Sequence, residues 1–145
     1  MIALIQRVSS ASVAINGDIC ADIGTGILAL IAVQKEDSHE KADKLLQKIL
    51  TYRIFADEND NMNLSLQQVG GGLLLVSQFT LAADTRKGRR PGFSAAASPA
   101  LAQELYEYLT TKARQQHPLV ETGIFAADMQ VSLVNDGPVT FYLET

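Results

Sequence analysis

Apolar and polar residues alternate along much of this chain, as in half-buried strands, and recur every three or four positions in only two stretches. Met1 to Val8 sets Ile2, Leu4, Ile5 and Val8 against Gln6 and Arg7, which predicts a strand carrying a long basic side chain near its end. Ala11, Val13 and Ile15 alternate with polar or small neighbours, and after Asn16-Gly17 the alternation resumes as Ile19, Ala21 and Ile23 against Asp18, Cys20 and Asp22. This is the pattern of a hairpin. A two-residue loop would pair Ile15 with Asp18, whereas a longer loop or a bulge keeps both apolar rows on one face and is the expectation here. Cys20 then lies with Asp18 and Asp22 on the wetter face.

Beyond Gly24-Thr25-Gly26, Ile27 to Val33 is apolar without alternation, like a strand buried on both faces. Ser38 caps a predicted helix whose apolar stripe is Ala42, Leu45, Leu46, Ile49 and Leu50. Tyr52 to Ala56 reads as a short strand, 57–61 as a turn, and Met62 to Val69 leads to three glycines at 70–72. The apolar run Leu73 to Val76 then ends in Ser77-Gln78-Phe79-Thr80, where a rigid strand can present hydroxyls and main-chain N–H groups to a ligand. Ser98-Pro99 opens a second helix with Leu101, Leu105, Tyr108 and Leu109 as its stripe, ending near His117-Pro118. Val120 to Ile124, Met129 to Val134 and Val139 to Leu143 read as strands. Mostly strands with two amphipathic helices inserted predicts a single α+β domain over residues 1–145, with a curved antiparallel or mixed sheet or barrel-like core.

A chain of 145 residues, 47% hydrophobic, is large enough for one real core. It has no apolar run of the ~20 residues a membrane span needs and no signal-peptide pattern at its start, so a cytosolic protein is expected. Cys20 is the only cysteine, which excludes an internal disulfide. The net charge of −4 argues against a general nucleic-acid binder, but its distribution does not. Four of the 12 basic residues, Arg86, Lys87, Arg89 and Arg90, fall within five positions, leaving 8 basic against 16 acidic elsewhere. A concentrated positive loop on an acidic body suits recognition of one phosphate-rich feature.

His39 beside a helix start and His117 at a helix end are explained by capping and dipole interactions. One cysteine and two distant histidines offer no metal-ligand spacing, no glycine-rich stretch matches a phosphate or dinucleotide fingerprint, and no nucleophile-elbow spacing occurs. No metal or cofactor is therefore expected. Thr80 could act as a nucleophile only with an activating base, and none is evident. Main-chain donors at Phe79 and Thr80 binding a carbonyl oxygen are the more economical role, since an oxyanion hole needs positioned donors and no shifted pKa. Gly137-Pro138, between two alternating strands, is either a turn or a rigid main-chain corner.

At these residues the chain resembles the D-aminoacyl-tRNA deacylases. Ser77-Gln78-Phe79-Thr80 is similar to one signature of that family and Asn135-Asp136-Gly137-Pro138-Val139-Thr140 to the other. Segments at 5–8, 53–55, 62–64, 82–86 and 129–133 also look like family segments, so the likeness covers nearly the whole chain. Gly92 and Ala95-Ala96-Ala97 depart from it just after the basic loop.

The resemblance implies hydrolysis of the ester between a D-amino acid and the 3′-terminal ribose of tRNA, by a homodimer with its sites at the subunit interface. It implies that Gly137 and Pro138 enter the partner's pocket, where their carbonyls exclude the side chain of an L-amino acid. Glycine, lacking a side chain, escapes that filter. Arg7 is implied to brace the corner and Met129 to lie near the pocket. With no protein base apparent, the expected mechanism is attack by water assisted by the terminal 2′-hydroxyl of the tRNA, the Phe79 and Thr80 donors stabilising the oxyanion. The basic loop would meet acceptor-end phosphates. A non-catalytic RNA-binding module and a small-molecule-binding dimer are the competing readings.

Overall fold

The computed structural model describes residues 1–145. Strand β1 (Ile2–Ile15) is the backbone of the architecture, because it is hydrogen-bonded along both edges. On one edge its first half pairs antiparallel with β3 (Gly26–Ala32) and its second half with β2 (Asp18–Ile23). On the other it pairs antiparallel with β8 (Gln130–Glu144). Beyond β3 the sheet turns parallel, through β6 (Gly72–Ser77) and then β7 (Val120–Thr122), giving a mixed sheet.

Parallel neighbours need long crossovers. The first holds helix α1 (His39–Thr51), the small antiparallel pair β4 (Arg53–Ala56) and β5 (Met62–Ser65), and one turn of helix, α2 (Leu66–Val69). The second holds helix α3 (Pro99–Gln116). Both long helices start as their sequences indicate: the Ser38 and Ser98 hydroxyls accept from the third helical N–H. The short α2 was not anticipated. Its signal is local, a reciprocal capping box in which Ser65 and Gln68 each accept the other's N–H.

The continuous apolar runs of β3 and β6 have two destinations. Ile27, Ala29, Ile31, Leu73 and Leu75 face the main core, built with Leu45, Leu46, Ile49 and Leu50 of α1 and Leu105, Tyr106 and Leu109 of α3. Leu28, Leu74 and Val76 face a second core, closed by Val8, Ala11 and Val13 of β1 and Ala21 and Ile23 of β2. The sheet must curl for β1 and β2 to cover that second face, hence its nearly barrel-like form.

Three details differ from the sequence pattern. The hairpin turns in two residues, Asn16 and Gly17 both at positive φ, so Ile15 pairs with Asp18. A bulge still occurs, at Cys20, restoring Ala21 and Ile23 to the buried face while Ile19 remains 67% exposed. The segments on either side of Ser9-Ser10 form one strand, as do those on either side of Gly137-Pro138, because pairing with a shared partner carries each across its irregularity.

β3 and β6 start side by side at two glycines. Gly26 is in register with Gly72, and a Cβ on Gly26 would stand 1.9 Å from the Gly72 carbonyl oxygen. Gly26→Ala must push the two backbones apart, and should lower unfolding free energy by about 1–3 kcal/mol in urea titrations. Unchanged stability would show that the strands separate there at no cost.

Candidate active site

The Ser77–Thr80 stretch lies where β6 leaves the sheet. The Gln78 N–H donates to the Ile31 carbonyl at 2.7 Å, the last bond to β3, and the chain then enters a tight helical turn, Phe79–Ala82. The first N–H groups of any helical turn have no acceptor within it. Leu81 donates back to Gln78, but the Phe79 and Thr80 N–H groups donate to nothing in the chain. The Gln78 side-chain amide donates to the Thr80 hydroxyl, and Thr80 is exposed.

Beside this turn is a cavity of about 570 Å³ lined by Ser77, Gln78 and Phe79 on one side and Tyr106, Phe125 and Met129 on others. Thr80 is not part of the lining. Tyr106 donates its buried hydroxyl to the Leu75 carbonyl at 2.9 Å, and burial pushes its pKa well above the ordinary phenol value, so it stays neutral. Asp128, exposed, is the one carboxylate in the lining. Sequence reasoning reached Met129 only through the family likeness and missed Tyr106, Phe125 and Asp128. The last two lie in the gap between the strands expected at 120–124 and 129–134, where the backbone reverses at Ala126 with φ 61, a turn that the local pattern does not announce. His39 and His117 are elsewhere: His39 packs edge-on against Tyr108, and His117 bonds the Gly71 carbonyl at 2.7 Å.

The second motif forms a corner in β8. Gln6 of β1 stands opposite Thr140 and Val8 opposite Asn135, so Arg7 alone faces Asp136–Val139. The Gly137-Pro138 peptide is cis and Gly137 has φ 147, where a Cβ would meet the Val139 side chain at 2.6 Å. Arg7, mostly buried, donates to the Asp136 carbonyl at 2.9 Å and the Ile54 carbonyl at 2.7 Å, tying the corner to β4. Asn135 spans the corner: its side-chain carbonyl accepts from the Val139 N–H at 2.6 Å and its amide donates to the Thr140 hydroxyl at 3.0 Å. That clamp was not singled out from the sequence, although Asn135 lies in the quoted motif. Asp136, Gly137 and Pro138 are exposed, and none of them lines the cavity of its own chain.

The basic loop is closed at its base by reciprocal bonds between Asp84 and Gly92, at 2.7 and 3.0 Å. The Arg86 guanidinium donates twice to the Asp84 carboxylate and the Arg86 backbone N–H once, and those hydrogen bonds hold Asp84 well below the usual carboxylate range. Lys87, Arg89 and Arg90 are exposed and pair with no carboxylate.

The D-Tyr-tRNA(Tyr) deacylase family profile matches residues 4–144. The chain belongs to that family. It is 66% identical over 143 residues to a D-aminoacyl-tRNA deacylase of Haemophilus influenzae and 60% identical over 144 residues to one of Cellvibrio japonicus, in both cases across 99% of each chain. Among solved structures it is similar to a c-Myc DNA unwinding element binding protein, with a TM-score of 0.96 and 36% identity over 100% of this chain and 99% of that one. Within this family member, the geometry assigns Asn135 a local task. Asn135→Ala leaves the Val139 N–H without its acceptor and should cost about 1–3 kcal/mol of stability, with faster amide exchange at Val139 than at strand positions remote from the corner. Unaltered exchange at Val139 would mean that Asn135 holds nothing.

Proposed function

We propose that this protein hydrolyses the ester joining a D-amino acid to the 3′-terminal ribose of tRNA, a chiral proofreading step of translation carried out in the cytoplasm. The observation that carries the reading is the pair of unused N–H groups at Phe79 and Thr80 on the edge of a largely apolar cavity. Such donors stabilise the oxyanion formed when water attacks an ester carbonyl, and need no ionisable partner. The terminal 2′-hydroxyl of the substrate assists the attacking water. Ser77 and Gln78 shape the cradle, with the Thr80 hydroxyl held by Gln78.

The working unit in this reading is a homodimer. The corner at Gly137 and Pro138 is exposed and outside its own cavity, which suits an assembly in which a second copy supplies the corner that faces each cavity. Its carbonyls refuse an L side chain on steric grounds and tolerate a hydrogen, which leaves glycyl-tRNA as a secondary substrate. Arg7 braces that corner and Met129 contributes to the wall of the pocket. Lys87, Arg89 and Arg90 meet acceptor-end phosphates, with Arg86 held by Asp84 at the loop's base. A non-catalytic nucleic-acid-binding module is the second reading, favoured by those free cations and by the name of the DNA-element-binding protein that the chain resembles.

Incubation with matched D- and L-aminoacyl-tRNA separates the two. Selective loss of the D ester is expected, whereas binding of both without hydrolysis would establish the module. Removal of the terminal 2′-hydroxyl should abolish most hydrolysis, while Thr80→Ala and Asp128→Asn should retain it. A loss of about 10²-fold or more in either variant would instead identify a protein nucleophile or base. Affinity for tRNA should fall with salt, with a log–log slope of about −2 if three single-strand phosphates are contacted.

A further inference from the structure

Phe79 and Phe93 are large apolar side chains left 60% and 40% exposed. Their rings lie 5.1 Å apart and are tilted by 49°. They come from separate segments: Phe79 opens the turn after β6 and lines the cavity, while Phe93 directly follows the Gly92 bonds that close the basic loop. The pair therefore joins the cavity wall, through Phe79, to the base of the loop that carries Lys87, Arg89 and Arg90, through Phe93.

We infer that Phe79 and Phe93 form a stacking platform for the nucleobase just upstream of the esterified terminal nucleotide. This rests on the tRNA-ester reading and extends it to the unpaired strand outside the cavity. If the ester carbonyl is bound by the Phe79 and Thr80 N–H groups, a strand running from there to the basic loop starts beside Phe79 and ends beside the loop base that Phe93 follows, with the paired rings within its reach. An unpaired RNA strand presents phosphates and flat base faces in alternation. Cations beside aromatic rings match both, and stacking accepts any base because each has a π-face. Cations alone would also suit the acidic body of a second copy, but a protein face has no alternation of phosphates and flat bases to match cations and aromatic rings together, so the combination favours RNA as the occupant.

The test compares wild type, Phe93→Leu and Phe93→Tyr on two substrates: D-aminoacyl-tRNA, and the D-aminoacyl ester of the terminal nucleoside alone. Phe93 is preferred over Phe79, whose N–H serves the reaction. Phe93→Leu should raise KM for the tRNA about tenfold with kcat within about twofold, and leave the nucleoside ester unaffected; Phe93→Tyr should restore wild-type values. A tRNA made abasic at the upstream position should impose the same penalty on wild type and none further on Phe93→Leu. An unchanged KM in Phe93→Leu, or an equal loss on both substrates, overturns the platform. So does a Phe93→Leu protein that sediments as a smaller species, since the rings would then belong to a contact between copies. If wild type hydrolyses neither ester, the tRNA-ester reading fails by itself. The platform is then judged by fluorescence anisotropy with uncharged tRNA: it stands if Phe93→Leu weakens binding only when the unpaired 3′ end is present, and falls otherwise.

Discussion

The double pairing of β1 is the constraint on which the other elements depend. A strand bonded on both edges cannot slip, because a shift of one residue would invert its buried and exposed faces against three partners at once. Its one large irregularity is therefore held in a defined place. Arg7 faces four residues of β8, and the surplus backbone is pushed outward as the Asp136–Val139 corner. The corner's shape is then over-determined by Arg7 from β1, Asn135 from β8 itself and the Ile54 carbonyl of β4. A protruding main-chain feature can discriminate between ligands by shape only if it does not yield, and these bonds supply that stiffness.

The candidate cavity beside β6 depends on an interruption of a different kind. β6 is buried on both faces until Ser77, and its last bond to β3 is made by Gln78. The chain tightens immediately afterwards, which leaves two N–H groups without acceptors at the end of a rigid strand. Rigidity and unsatisfied donors are what oxyanion stabilisation requires, and neither involves a titratable side chain. Apolar and charged surface are also kept apart here: a largely apolar cavity beside the turn, and a charged loop with three unpaired cations outside it. Asp84 sharpens that division by engaging Arg86 at the loop's base.

Local patterns determined a good deal. Alternation and apolar runs marked the strands, serine caps and 3.6-residue stripes marked both long helices, and an apolar run stopping at Ser77 pointed to the cradle, because each of these is a property of neighbours along the chain. The pattern also marked Arg7 at a strand end and the Gly-Pro pair between two strands, while motif likeness gave those residues and Met129 their expected roles. Only the tertiary structure decided that the strand segments on either side of Ser9-Ser10 and of the Gly-Pro pair are continuous, that Tyr106, Phe125 and Asp128 join the cavity wall, and that Asn135 clamps the corner. Each of those depends on which residue stands across from another in a curled sheet, a relation between distant segments that periodicity along the chain does not encode.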